Sequence, residues 1–71
     1  MNRINPNKLL NSKWTAVQPV NRQRHFIVTK VLKVDDGSVT ACVIEALLTR
    51  EVTKIDWRKL KDSSQWAMGW K

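Results

Sequence analysis

The residues best equipped to engage a ligand are four tryptophans, Trp14, Trp57, Trp66 and Trp70, in a chain with one Phe and no Tyr. Lys13 precedes Trp14; Arg58, Lys59 and Lys61 follow Trp57; Lys71 follows Trp70. Cations interleaved with flat rings suit single-stranded nucleic acid. Charge tracks the phosphates, while each ring can stack on a base for about 1–3 kcal/mol. Trp and Arg also anchor protein interfaces, so the pattern leaves a nucleic acid and a protein partner both open. Indole rings can equally supply much of a small core. Trp14 opens a strand, and Trp57 sits beside Ile55 and shares a face with Leu60, so both read as core. Trp66 and Trp70, four apart, would share a face if a helix carries them through Gly69. They dock on the protein's own sheet or wait for a partner.

Catalytic chemistry has little to build on. Nucleophilic catalysis needs a Ser or Cys beside an oriented base. The one histidine, His25, stands beside Arg24 with no acid within nine residues on either side. It reads as structural or solvated. Cys42 falls on an apolar strand face and reads as a small buried hydrophobe. One Cys and one His make neither a disulfide framework nor a four-ligand zinc site. Gly37 and Gly69 are too far apart for a phosphate loop. The expectation is a non-enzymatic module with no cofactor and no metal.

Charge is placed unevenly. The 71 residues carry 13 Lys+Arg against 6 Asp+Glu, a formal charge of +7. Residues 1–33 hold Arg3, Lys8, Lys13, Arg22, Arg24, Lys30 and Lys33 and no acid, whereas residues 34–71 hold six of each sign. The whole excess therefore belongs to the first half. Clustered Lys/Arg attract phosphates through counterion release, although net charge also serves solubility. At this length, scaling gives roughly 4,600 Å² of folded surface and about 62% burial, enough for one thin-cored domain. The opening residues lack the apolar stretch of a signal peptide, and no window approaches the ~20 apolar residues of a membrane span. A reduced, soluble, cytoplasmic protein with no membrane contact is expected.

The elements that must position these residues are short. Asn5-Pro6 marks a helix start, with Asn as cap and Pro at the first position. Ile4, Leu9 and Leu10 would fold this turn onto an apolar surface. Trp14–Gln18 reads as a first strand, followed by a loop at Pro19 and Asn21. His25–Val34 is the clearest strand, and Asp35-Asp36-Gly37 is a hairpin turn. The return strand, Ser38–Thr49, is largely apolar on both faces, so it lies centrally or curls inside a small barrel. Glu51–Asp56 is a shorter edge strand interrupted by Lys54. Asp56 caps a turn from Trp57 to Leu60. Asp62-Ser63-Ser64-Gln65 resembles a capping box opening a second short helix that contains Trp66 and stops at Gly69.

Lys13-Trp14-Thr15-Ala16, Asp56-Trp57-Arg58-Lys59-Leu60-Lys61-Asp62, Gln65-Trp66 and Gly69-Trp70 resemble a family of small bacterial tryptophan-rich proteins of unknown function. The likeness extends over nearly the whole chain, the Asn-Pro-x-Lys-Leu-Leu opening included. It implies a bacterial, cytoplasmic protein and no particular activity.

Together these observations predict a single compact domain over residues 1–71. It is α+β and β-dominated: a four-stranded antiparallel meander, flat or curled into a small barrel, with short N- and C-terminal helical turns. The function they favour is binding of RNA or single strands with little sequence preference. Lys13, Lys30, Lys33, Arg58, Lys59 and Lys61 would contact phosphates, and Trp66 or Trp70 would stack. The alternative is a protein-interaction adaptor, or a homodimer, anchored by Trp66 and Trp70.

Overall fold

The computed structural model describes residues 2–71. Five strands form one antiparallel sheet: β1 (Lys13–Val20), β2 (Gln23–Lys33), β3 (Val39–Ala46), β4 (Val52–Ile55) and β5 (Trp66–Met68). Their order is β4-β3-β2-β1-β5, so two edges remain and no barrel closes. Two 3-10 turns, η1 (Pro6–Lys8) and η2 (Trp57–Lys61), complete the chain. The molecule is a slab of 37 × 25 × 15 Å. It exposes 5017 Å², somewhat above the roughly 4,600 Å² expected from its mass. A single sheet covered on one side accounts for that excess.

The meander runs as its turn residues dictate. Asn21 and Arg22 both have positive φ, 56° and 64°, and join β1 to β2 by a two-residue turn that keeps the strand twist. β1 therefore continues through Pro19 to Val20, where a loop was predicted. Pro19 is tolerated because the β1–β2 register shifts between Thr15 and Val20, and Pro lacks the N–H that regular pairing would need. Asp36 accepts the Ser38 N–H at 2.8 Å and fixes the β2–β3 turn. β3 stops at Ala46, short of the predicted Thr49. Leu47–Thr49 turn the chain instead, closed by Arg50 N–H on Ala46 O.

The fifth strand replaces the predicted C-terminal helix. Asp62 accepts from the N–H and hydroxyl of Ser64, two residues on, rather than capping a helix. Trp66, Ala67 and Met68 then pair with Ala16, Thr15 and Trp14. Without them β1 would leave a row of backbone groups unpaired, and that long-range pairing outweighs a weak local helix signal. Asn2 ties the chain start to this corner, its side chain donating to Leu60 O at 2.8 Å and Trp66 O at 2.7 Å.

Cross-strand partners share a face, so the register separates the two sides. One side carries Trp14, Phe26, Val28, Ile44, Cys42 and Ile55, together with Trp66 opposite Ala16. Leu9, which follows η1, and Leu60 of η2 cover this side and are fully buried. Trp57 packs on the same cluster and donates its indole N–H to Val39 O at 2.9 Å. Leu10 does not join it: it is 52% exposed. Among the described residues no helix lies over the opposite side of the sheet.

Candidate functional site

Two rows run across the middle of the uncovered side. Lys13, Ile27, Glu45 and Val52 are register partners across four strands; beyond a bulge at Thr29, Lys30, Val43 and Lys54 form the next row. Glu45, the acid of the first row, is paired with Arg50 at 2.9 Å. The remaining charge of both rows is positive.

Trp70 lies on this side because of Gly69. The glycine has φ 79°, a conformation L residues avoid, and turns the chain off β5 and back across the sheet. The Gly69 N–H donates to Lys13 O at 2.8 Å. The Thr15 hydroxyl donates to Gly69 O at 2.7 Å and accepts from the Lys71 N–H at 2.9 Å. These bonds bury Thr15 and fix the tail. The Trp70 indole N–H then donates to Phe26 O at 3.0 Å. The residue is 43% exposed. Lys13 Nζ stands 4.8 Å from the ring centroid, and the His25 ring lies 6.2 Å away with its Nε2 at 3.0 Å from Lys71 O. Next to His25, a hollow of about 400 Å³ is lined by Arg22, Arg24, Leu47 and Leu48.

The residues singled out from sequence are thus divided. Lys13, Lys30 and Trp70 share the uncovered side. Lys33, opposite Val39, lies further along β2 near the β2–β3 turn. Arg58, Lys59 and Lys61 belong to η2 and stand on the covered side. Two of these three are already engaged: Arg58 pairs with Asp56 at 2.9 Å, and Lys61 Nζ lies 4.9 Å over the Trp57 ring. Trp66 and Trp70, predicted to share a helix face, are on opposite sides of the sheet. Trp66 is half-buried, its ring edge-on to Phe26 at 5.1 Å. Any single contact surface therefore takes one of the two rings.

Arg22, Arg24, His25 and Lys54 were not among the residues assigned to binding from sequence. Arg22 to His25 is a basic run at the head of a strand, and that was the available signal; Lys54 marked an edge strand. Of the groups set aside as non-catalytic, Cys42 is buried, and burial, with the Asp56 charge adding, pushes its thiol up to about 11. A thiol held protonated in this way is a poor nucleophile. Among the described residues no cluster of His, Cys, Asp and Glu could hold a metal ion, and no helix is long and apolar enough to cross a membrane.

The tryptophans and their basic neighbours also decide what the chain is related to. Residues 12–71 match the model of a family described as tryptophan-rich protein (DUF2389). The chain belongs to this family. All four tryptophans, and every strand, fall within the match; η1 and the Asn-Pro opening precede it. No curated protein and no solved structure matches the chain. In this member of the tryptophan-rich family the four rings take different parts: Trp14 and Trp57 pack on the core, Trp66 closes its margin, and Trp70 faces outward.

Proposed function

We propose that this protein is a non-enzymatic module of the bacterial cytoplasm that binds single-stranded nucleic acid, RNA foremost, through the uncovered side of its sheet. The observation that carries this reading is the partly exposed Trp70 ring held between Lys13 and His25 on a face whose net charge is positive. A base stacks on the ring's free part, and Lys13, already over the ring, neutralises the adjoining phosphate. Lys30 and Lys54 continue the charge along the strands, and Arg22 and Arg24 flank the other end. No side chain on this face offers a planar pair of donors fixed for one base edge, so the expected readout is weak in sequence.

The test is a titration with oligouridylate and oligoadenylate, following tryptophan fluorescence at 50 mM and 200 mM salt. Quenching is expected with both, with affinity falling as salt rises. Two to three phosphate contacts correspond to a log–log slope of about −1.4 to −2, since each contributes about −0.7 on single strands. Lys13→Ala should lower that slope by about one contact. No quenching at low salt, or an affinity indifferent to salt, overturns the reading.

A further inference from the structure

The borders of the sheet are not alike. The β4 edge is four residues long with Lys54 within it. The β5 edge is tied down by Asn2 at Trp66 O. A third border lies inside the strand order. β1 pairs with β2 only as far as Ile27, and Asn11 and Ser12 add bonds to Val28 O and Val28 N at 2.8 and 2.9 Å. From Thr29 to Lys33, β2 is paired on the β3 side alone.

Successive residues of an antiparallel ladder turn their N–H and C=O to opposite sides. Val28 bonds away from β3. Past the bulge at Thr29, Leu32 turns toward β3, its carbonyl accepting the Thr40 hydroxyl, and Val34 N–H bonds to Ser38 O. Val31 and Lys33 therefore turn two N–H and two C=O groups outward. They open into a groove of about 440 Å³, walled on one side by Thr29, Lys30, Val31 and Lys33 and on the other by Pro6, Asn7 and Leu10. A strand edge facing a helical turn across an open groove is the geometry in which peptides add as an extra strand, with backbone bonds giving affinity and flanking side chains giving selectivity.

We propose that this groove takes up an extended, acidic segment of a partner protein as an added strand along Val31–Lys33. Its lining carries Lys30 and Lys33 on the two sides of the strand and no acid, which favours an incoming strand that carries carboxylates. A second copy of this chain fits poorly. Antiparallel self-pairing about Val31 would crowd Lys30 and Lys33 of both copies onto one short ladder, and like charges there are destabilising. No aromatic ring lines the groove, so it lacks the stacking platform that a nucleic acid uses. The proposal does not depend on Trp70.

The experiment uses the full ¹⁵N-labelled chain. It is titrated with a blocked octapeptide of valine and threonine that carries aspartate or glutamate on both faces of the extended strand. The controls are the same peptide with a central proline, a version with lysine replacing its acids, and an eight-nucleotide oligothymidylate. Amide shifts are expected at residues 29–33 and across η1, with slowed hydrogen exchange at Val31 and Lys33. The proline and lysine peptides should fail to bind. Lys30→Glu combined with Lys33→Glu should weaken the acidic peptide at least tenfold, while Trp70→Ala leaves it unchanged. Equal binding of the proline peptide would reduce the effect to charge and overturn the added strand. So would shifts confined to the rest of the molecule, or an oligothymidylate that slows exchange at Val31 and Lys33 in the same way. Protection at Val31 that grows with protein concentration alone would assign the edge to self-pairing and likewise overturn the proposal.

Discussion

Trp14 and Trp70 lie on opposite sides of the same strand neighbourhood and have opposite fates. Trp14 is 2% exposed on the covered side, its indole N–H bonded to the Ser12 hydroxyl at 2.8 Å. Trp70 is 43% exposed on the uncovered side, its N–H bonded to a backbone carbonyl and a lysine beside its ring. Both rings satisfy their polar atom, so hydrogen bonding does not distinguish them. Cover does. Leu9 and Leu60 close over one side of the sheet, while the other receives the Gly69–Lys71 tail. A small protein with one covered face puts its stability on that face and leaves the other free to evolve contacts.

The comparison breaks most visibly if a core ring is removed. Trp14→Ala should cost about 3–5 kcal/mol and Leu60→Ala about 2–5 kcal/mol, through lost burial and the cavity left behind. A domain of this size has only about 5–10 kcal/mol in total. Trp14→Ala should therefore melt far below the parent by circular dichroism, with much of the chain unfolded at 37 °C. A midpoint within a few degrees of the parent would mean that the covered face is not where stability resides.

A sharper contrast sets Trp66 against Trp70. Trp70→Ala should lower oligonucleotide affinity about 5- to 150-fold, the equivalent of about 1–3 kcal/mol from one lost stack, with little change in melting. Trp66→Ala removes the edge-to-face contact with Phe26. It should lower the midpoint through about 1–3 kcal/mol of lost burial and ring contact, leaving affinity nearly intact. Melting curves and fluorescence titrations on the two variants decide this. If both lose affinity alike, the two sides of the sheet do not divide the labour.

How much of this division was legible beforehand depends on the range of each interaction. The Asn5 cap, the Asp36 turn and the Asp56 cap are interactions between residues two apart, and all three could be read from sequence. The long β2 and β3 strands declared themselves by β-branched composition. β5 did not, because three residues carry no period, and its reason to form is the open edge of β1 some fifty residues away. That one missed pairing accounts for most of the site. It turned a supposed helix face holding Trp66 and Trp70 into two rings on opposite sides, and it placed Trp70 beside Lys13 and His25. The η2 cations were misjudged for the same reason: adjacency to Trp57 in sequence says nothing about which side of the sheet η2 will cover.

The smallest expected effect belongs to the covered side and comes from its caps. Asp56 accepts from the Arg58 backbone N–H at 3.0 Å and from its guanidinium at 3.2 and 2.9 Å. The guanidinium bonds, then the backbone bond, hold the Asp56 carboxyl well below its ordinary 3.8, at about 2. A carboxyl whose folded pKa is depressed contributes stability that is complete above the unfolded value and disappears as pH falls through the folded one. For Asp56 that window runs from about pH 4 down to about pH 2. Asp36 and Asp62 are lowered by their bonds to Ser38 and Ser64, so they add to the same loss. Asp56→Asn keeps an oxygen for the Arg58 N–H but removes the charge that titrates. Its melting midpoint should sit slightly below the parent at pH 7 and fall less between pH 4 and pH 2, so the two curves converge in acid. Parallel curves would show that the cap acts through its hydrogen bond alone. The acid sensitivity of the covered side would then lie in Asp36 and Asp62, at the β2–β3 turn and at the turn that leads into β5.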